Sequence, residues 1–209
     1  MSRATLTGGV IALLLLALLT VAVRSGHPLA FDRPLSVWLH GQATPPDVTG
    51  ADILNVTGTL AVVVPATLIT AAVFAARQRP RHALTVLGGM TATLAAQLAL
   101  NAAVHRPRPT LYPHLVAAPG LSYPSGHTAL AAALGTLAAV LAWRTRWRWP
   151  TVILALGYAV AMGTARVLLG VHNPSDVLAG WLLGSSMGLL AAWMGERVRH
   201  RRRATRPHR

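Results

Sequence analysis

The chain has 209 residues, 53% of them hydrophobic and only 11% charged, with a formal charge of +14 and no cysteine. A soluble domain of this length would carry roughly twice that share of charge, so the composition argues against the water-soluble classes and for the bilayer. The basic residues are all arginine and sit in short clusters between apolar runs rather than on one folded face, which argues against nucleic acid as a partner, and the missing cysteines exclude disulfides, thiolate metal sites and a cysteine nucleophile.

Six mostly apolar runs approach the roughly 20 residues of a bilayer-spanning helix: residues 4–23, 53–76, 83–104, 125–143, 149–165 (extending through Leu169) and 177–195. The first begins with Arg3 and a leucine-rich core, the outline of a cleaved signal peptide. Its core is too long and no convincing small-residue cleavage site follows, so it is read as a span. The connection from 24 to 52 carries three of the five acids, Asp32, Asp47 and Asp52; within it Leu35, Trp38 and Leu39 share one helical face, which suits a short interfacial helix or a plain loop.

Arg77, Arg79 and Arg81 follow the second run, Arg144, Arg146 and Arg148 the fourth, and seven arginines lie from Arg197 onward. If six helices alternate, these clusters and Arg3 place fourteen of the nineteen arginines on one side. The positive-inside rule makes that side cytoplasmic and both termini internal. Trp143, Trp147 and Trp149 fit an aromatic belt at the same interface. The expected fold is therefore all-α: a polytopic six-transmembrane-helix bundle, one domain over 1–196, with a basic cytoplasmic tail over 197–209 suited to anionic headgroups or to holding topology.

Three segments on the opposite side concentrate polar groups at the ends of apolar runs, where such groups are costly unless they serve a purpose. In His105-Arg106-Pro107-Arg108-Pro109, the prolines stop the third span and hold the arginines extended. Guanidinium forks pair with phosphate oxygens, and positive-inside charge is no explanation on this side. In Tyr123-Pro124-Ser125-Gly126-His127-Thr128, Ser125 is an N-cap candidate and Gly126 lets a ligand approach the N–H groups of a helix start, a natural anion site, with His127 in the first turn. The stretch from Arg166 to Asp176 offers Asn173 as N-cap and Pro174 as first helical residue, with His172 just before the helix and Asp176 in its first turn. A carboxylate beside an imidazole sets its tautomer and strengthens the other nitrogen as a nucleophile. Each segment alone has a plainer reading: a capped helix with an interfacial histidine, or an aspartate complementing a helix dipole. The set and its spacing favour chemistry.

The three segments, in this order, resemble the signature of the type 2 phosphatidic acid phosphatase family, a lipid phosphatase superfamily that shares its site with soluble acid phosphatases and vanadium haloperoxidases. The match is Arg108-Pro109, then Pro124 to His127, then Arg166, His172 and Asp176 at the family spacing. Two positions depart from the pattern: Asn101 stands where the family has lysine, and Ala165 where it has serine. The first removes a positive charge, which Arg106 is close enough in sequence to replace.

The resemblance implies a metal-independent, cofactor-free phosphatase in the cell membrane with its site on the extracytoplasmic face. His172 would attack phosphorus to give a phosphohistidine, His127 would protonate the leaving oxygen, and Asp176 would orient His172. Arg108, Ser125, Gly126 and Arg166, with Asn101 and Arg106, would hold the phosphate. Undecaprenyl diphosphate, phosphatidic acid and phosphatidylglycerol phosphate all fit as the lipid phosphate substrate. A lipid phosphotransferase, or a non-catalytic anion- or lipid-binding membrane protein, is the competing expectation.

Overall fold

The computed structural model describes residues 2–26 and 29–204. Among these residues are eight helices: α1 (Ser2–Arg24), α2 (Asp32–Gly41), α3 (Pro45–Thr57), α4 (Leu60–Ala76), α5 (Pro80–Val104), α6 (Gly126–Ala142), α7 (Arg148–Leu168) and α8 (Pro174–Ala204). No strand occurs among the described residues. Four helices, α1, α5, α7 and α8, are long and apolar enough to cross a membrane; α3 and α4 form a fifth candidate bent by 52°, and α6 is apolar but shorter.

The second apolar run is thus not one straight helix. Pro65 lies inside α4 without ending it, and the chain breaks at Gly58 and Thr59 instead, with Thr59 in an extended conformation at the start of α4. Between the first run and this break, α2 takes the interfacial-helix option, with Leu35 and Trp38 exposed along it. At the other end of the sequence, α8 runs past residue 196 to Ala204, because alanine and arginine both favour helix. Residues 197–204 thus continue α8 as helix, and residues 205–209 lie outside the described residues.

Helix α6 is the centre of the bundle, packed against α5, α7 and α8, with Ala129, Ala133 and Leu137 fully or almost fully buried. Its closest approach is to α8, where Gly180, Gly184 and Gly188 lie one turn apart. A Cβ at Gly180 would strike Thr128 and the Ser125 carbonyl, one at Gly184 the Ala129 carbonyl, and one at Gly188 the Thr136 side chain. Small residues at helical spacing let two backbones touch, the usual solution where lipid is as apolar as the protein interior. In this bundle they bring the start of α8 beside the start of α6. On the other flank of α8 lies α1, whose Leu16 joins Tyr123, Ala129, Ala179 and Leu183 in one buried cluster and whose Thr20 hydroxyl bonds the Tyr123 hydroxyl at 2.8 Å. Large apolar side chains such as Leu14, Leu18, Ile69, Leu84 and Leu154 are exposed, as lipid-facing residues would be.

Candidate active site

Three helix ends and the loop 105–125 meet at one end of the bundle. Helix α5 ends with His105 in a left-handed conformation, whose N–H bonds the Asn101 carbonyl, and the following prolines release the chain into the loop. The loop is stitched by Ser122, whose N–H bonds the Arg106 carbonyl and whose hydroxyl bonds the Pro107 carbonyl at 2.9 Å. Gly170 turns the chain out of α7 at φ +74°, a conformation that glycine adopts without strain, and delivers His172 to the start of α8. Asn173 precedes Pro174 at that start, and its N–H donates to Asp176 Oδ2 at 2.8 Å, so the carboxylate caps its own helix. The second and third segments are joined directly: the Ser125 N–H donates to the Asp176 carbonyl at 3.0 Å.

The side chains that these elements present are Arg108, Ser125, His127, Arg166, His172 and Asp176. His172 is buried, with Nε2 3.2 Å from Arg108 Nη1 and Nδ1 3.7 Å from Asp176 Oδ2, a charge contact longer than a hydrogen bond. Burial pushes its pKa down to about 4, Arg166 and Arg108 push the same way, and Asp176 opposes them, so the ring is neutral near neutral pH. Arg108 donates to the carbonyls of Val171 (2.8 Å) and Pro119 (3.1 Å), and its pKa is lowered by burial. Arg166, only 3% exposed, donates to Asn55 Oδ1. His127 lies within electrostatic range of Arg166, His172 and Arg108.

Five polar atoms in this group are buried without a hydrogen-bond partner: Arg108 Nε, Ser125 Oγ, His127 Nε2, Arg166 Nε and His172 Nδ1. Orphaned buried groups are costly and rare, and their concentration in one place marks a site built for a ligand that supplies the missing bonds. Ser125 illustrates this. It stands at the N-cap of α6, as its sequence position suggests, yet its side chain makes no capping bond and remains free. Gly126 opens α6, so its N–H is among those with no intrahelical acceptor. The donors outnumber the acceptors, and the ligand they fit is an oxyanion. A cavity of about 460 Å³ lies beside His172, walled by Arg33 and Ser36 of α2 and by Arg106, Tyr112 and Asn173.

Two residues expected at the phosphate have partners within the protein. The terminal nitrogens of Arg106 donate to Asp176 Oδ1 (2.6 Å), Ser175 Oγ (2.7 Å) and Asp32 Oδ2 (2.9 Å). Burial disfavours its charge, but the two carboxylates outweigh this and raise its pKa. Asn101 donates to the Tyr123 carbonyl at 3.3 Å and braces the loop. In this structure both side chains are thus bonded within the protein.

Asp32 and Asn55 escaped the sequence reading. Asp32 is buried and accepts from the Ser175 N–H (2.8 Å) and hydroxyl (2.7 Å) as well as from Arg106, which ties α2 to the start of α8. Its signal was present as an acid in an apolar chain, but its partners are far away in sequence. Asn55, a polar residue inside an apolar run, carried the same kind of signal.

Residues 52–199 match the PAP2 superfamily. The chain is 42% identical over 85 residues to an undecaprenyl-diphosphatase of Sulfolobus acidocaldarius, covering 41% of this chain and 34% of that protein. It is 35% identical over 79 residues to phosphatidylglycerophosphatase B of Escherichia coli, covering 38% and 31%. The matched segments thus span about a third of the length of each of these relatives. A crystal structure of a transmembrane PAP2-type phosphatidylglycerolphosphate phosphatase from Bacillus subtilis superposes with a TM-score of 0.77 at 25% identity, covering 96% of this chain and 98% of that one. With a family match over most of its length and a shared fold from end to end, the chain belongs to the PAP2 superfamily.

Proposed function

We propose that the protein is an integral membrane lipid phosphatase that crosses the bilayer six times, counting the bent α3 and α4 as one span and the short α6 as another. Both termini are cytoplasmic, and the site faces the extracytoplasmic side. The arginine clusters support this orientation, since Arg79, Arg81 and Arg144 gather around one cavity at the end of the bundle away from His172. The observation that carries the chemical reading is the concentration of buried, unpartnered polar atoms on Arg108, Ser125, His127 and Arg166, a set that a phosphoryl group would complete.

His172 Nε2 attacks phosphorus in line. The ring is neutral at the pH of function, and Asp176 beside Nδ1 favours the tautomer that leaves Nε2 with its lone pair. The P–N bond forms as the bond to the lipid oxygen breaks, and His127, which takes up a proton at Nε2 once the bound phosphate offsets the charge of Arg108 and Arg166, gives that oxygen its proton. Water then attacks the phosphohistidine while His127 takes the proton back. Arg108, Arg166, the Ser125 hydroxyl and the Gly126 N–H hold the equatorial oxygens, so the rate comes chiefly from positioning and charge stabilisation. Helix ends near the interface admit a headgroup whose tails remain in lipid. The names of the relatives support a phosphate on a lipid, as a monoester or a diphosphate.

Purified protein in detergent, given dioctanoyl phosphatidic acid, phosphatidylglycerol phosphate and a short-chain polyprenyl diphosphate in the presence of chelator, is expected to release phosphate from at least one. His172→Ala and His127→Ala are each expected to reduce turnover on the order of a thousandfold or more. Full activity in His172→Ala would end the covalent route. No release by the unmodified protein from any of the three would end the phosphatase reading.

A further inference from the structure

The break in the second apolar run has no explanation in composition, since residues 53–76 are apolar throughout apart from Asn55 and four threonines, and Pro65, the obvious breaker, lies inside α4. Its explanation lies in what the break touches. Gly58 is buried at φ −89°, a backbone value open to any residue, so its lack of a side chain answers a shortage of space. A Cβ there would stand 2.5 Å from His127 Cδ2 and 2.9 Å from Met162 Cε. One turn earlier, the Asn55 backbone carbonyl lies in hydrogen-bonding reach of the His127 ring. A carbonyl accepts only from a ring N–H, and the ring nitrogen that is buried without a partner is Nε2. The carbonyl therefore fixes the tautomer: Nδ1 carries the proton toward Asn55, and Nε2 is the nitrogen left to exchange a proton with the ligand.

The Asn55 side chain acts on the other half of the site. Its oxygen accepts from Arg166 Nη1, while its nitrogen donates to Asp52 Oδ1 at 3.4 Å, which settles the orientation of the amide. Arg166 is thereby pinned by a neutral acceptor at one terminal nitrogen, with Nε left unpartnered. A carboxylate in the same place would hold the guanidinium equally well but cancel the charge that a phosphate needs. The end of α3 is itself anchored to α7, through Thr57 and Tyr158, whose hydroxyls lie 3.0 Å apart, and through packing of Ala51 against Ala165, Leu168 and Leu169.

We infer that the bend at Asn55–Gly58 is a fourth element of the active site, lying outside the three signature segments. In this role Asn55 and Gly58 are positioning residues that set Arg166 through a side chain and His127 through the backbone and the absence of a Cβ. The inference rests on the phosphatase reading and divides the two functions between two variants. Gly58→Ala displaces the imidazole that protonates the leaving oxygen, so its effect depends on how much the leaving group needs that proton. Asn55→Ala frees Arg166, which holds the phosphoryl group whatever the leaving group.

The test measures kcat/KM for dioctanoyl phosphatidic acid, whose alkoxide is a poor leaving group, and for p-nitrophenyl phosphate, whose phenolate leaves unaided. Gly58→Ala is expected to lose on the order of 100-fold on the first substrate and less than about tenfold on the second. Asn55→Ala is expected to lose about tenfold on both, with a raised KM. Gly50→Ala serves as the control in the same helix, because a Cβ there meets nothing within 4 Å; it is expected to match the unmodified protein. Gel filtration in detergent establishes that each variant is folded, and if Gly58→Ala is not, Asn55→Ala alone decides. Equal losses on both substrates in Gly58→Ala, or unchanged kinetics in Asn55→Ala, would overturn the inference. Absence of activity in the unmodified protein would instead reject the phosphatase reading beneath it.

Discussion

Arginines crowd both ends of this bundle, yet at one end they stand in the open against tryptophan rings and at the other they are partly or wholly buried among carboxylates, carbonyls and imidazoles. At the first end, the guanidinium carbons of Arg146 and Arg148 lie 5.4 and 5.5 Å from the ring centroids of the exposed Trp147 and Trp149. At the second, Arg106 is held between Asp32 and Asp176, while Arg108 and Arg166 are held by carbonyl and amide oxygens and form no salt bridge among the described residues. The contrast shows that the role of a buried arginine can be read from what neutralises it. On the proposed reading, Arg106 is balanced within the protein and supports the fold, whereas Arg108 and Arg166, with no carboxylate partner among the described residues, keep a positive charge for a ligand.

If that distinction is right, removing the balanced arginine damages stability most. Arg106→Gln strands two buried carboxylates, and breaking a buried pair from one side costs about 3–5 kcal/mol. Thermal unfolding in detergent should show a large drop in Tm, partly restored in the double variant with Asp32→Asn. An unchanged Tm would mean that the brace carries no weight and that Arg106 belongs with the phosphate-holding group after all.

A smaller effect concerns pH. Burial holds the His172 pKa near 4 in the folded protein, against 6.5 when the chain is unfolded. Below pH 6.5 the unfolded chain takes up a proton that the folded site refuses. Stability therefore falls as pH drops from 6.5 toward 4, by up to about 1.4 kcal/mol per unit from this group, and is fully present above that window. His172→Gln removes this contribution, so its Tm should depend less on pH between 6.5 and 4 than that of the unmodified protein. Parallel Tm profiles would show that His172 is not held neutral by its surroundings.

The parts of this molecule that were legible beforehand are those written in contiguous residues. The apolar runs located α1, α5, α6 and α7 and the start of α8 to within a few residues, because burial in lipid demands length and hydrophobicity from each segment by itself. The spacing from Arg166 to Asp176 was legible for the same reason, since one turn at Gly170 and one helix start set the relation of those side chains. What stayed hidden depends on partners far along the chain. Arg106 and Asp32 are 74 positions apart, and Arg166 and Asn55 are 111 apart, so neither pairing leaves a local pattern. The break at Gly58 was invisible because what it packs against, the His127 ring, belongs to another helix. Only the glycine stripe on α8 was written in full and passed over; its spacing of four would have indicated which face meets α6.

The weakest effect is expected at the opposite end, and it sharpens the comparison because the same residue type is changed. Arg146 and Arg148 are exposed and stacked on tryptophan, an arrangement worth about 0.5–1 kcal/mol each at such sites. Replacing Arg144, Arg146 and Arg148 together by glutamine should leave kcat/KM of the purified protein unchanged and shift Tm only slightly. Its visible consequence is biosynthetic: with fewer cytoplasmic positive charges, a larger share of chains should insert inverted, which protease accessibility of a tag in the loop 144–148 would report. A loss of turnover in correctly inserted protein would show that the two ends are coupled through the helices between them. The arginines at that end would then have a part in catalysis that their exposure gives no reason to expect.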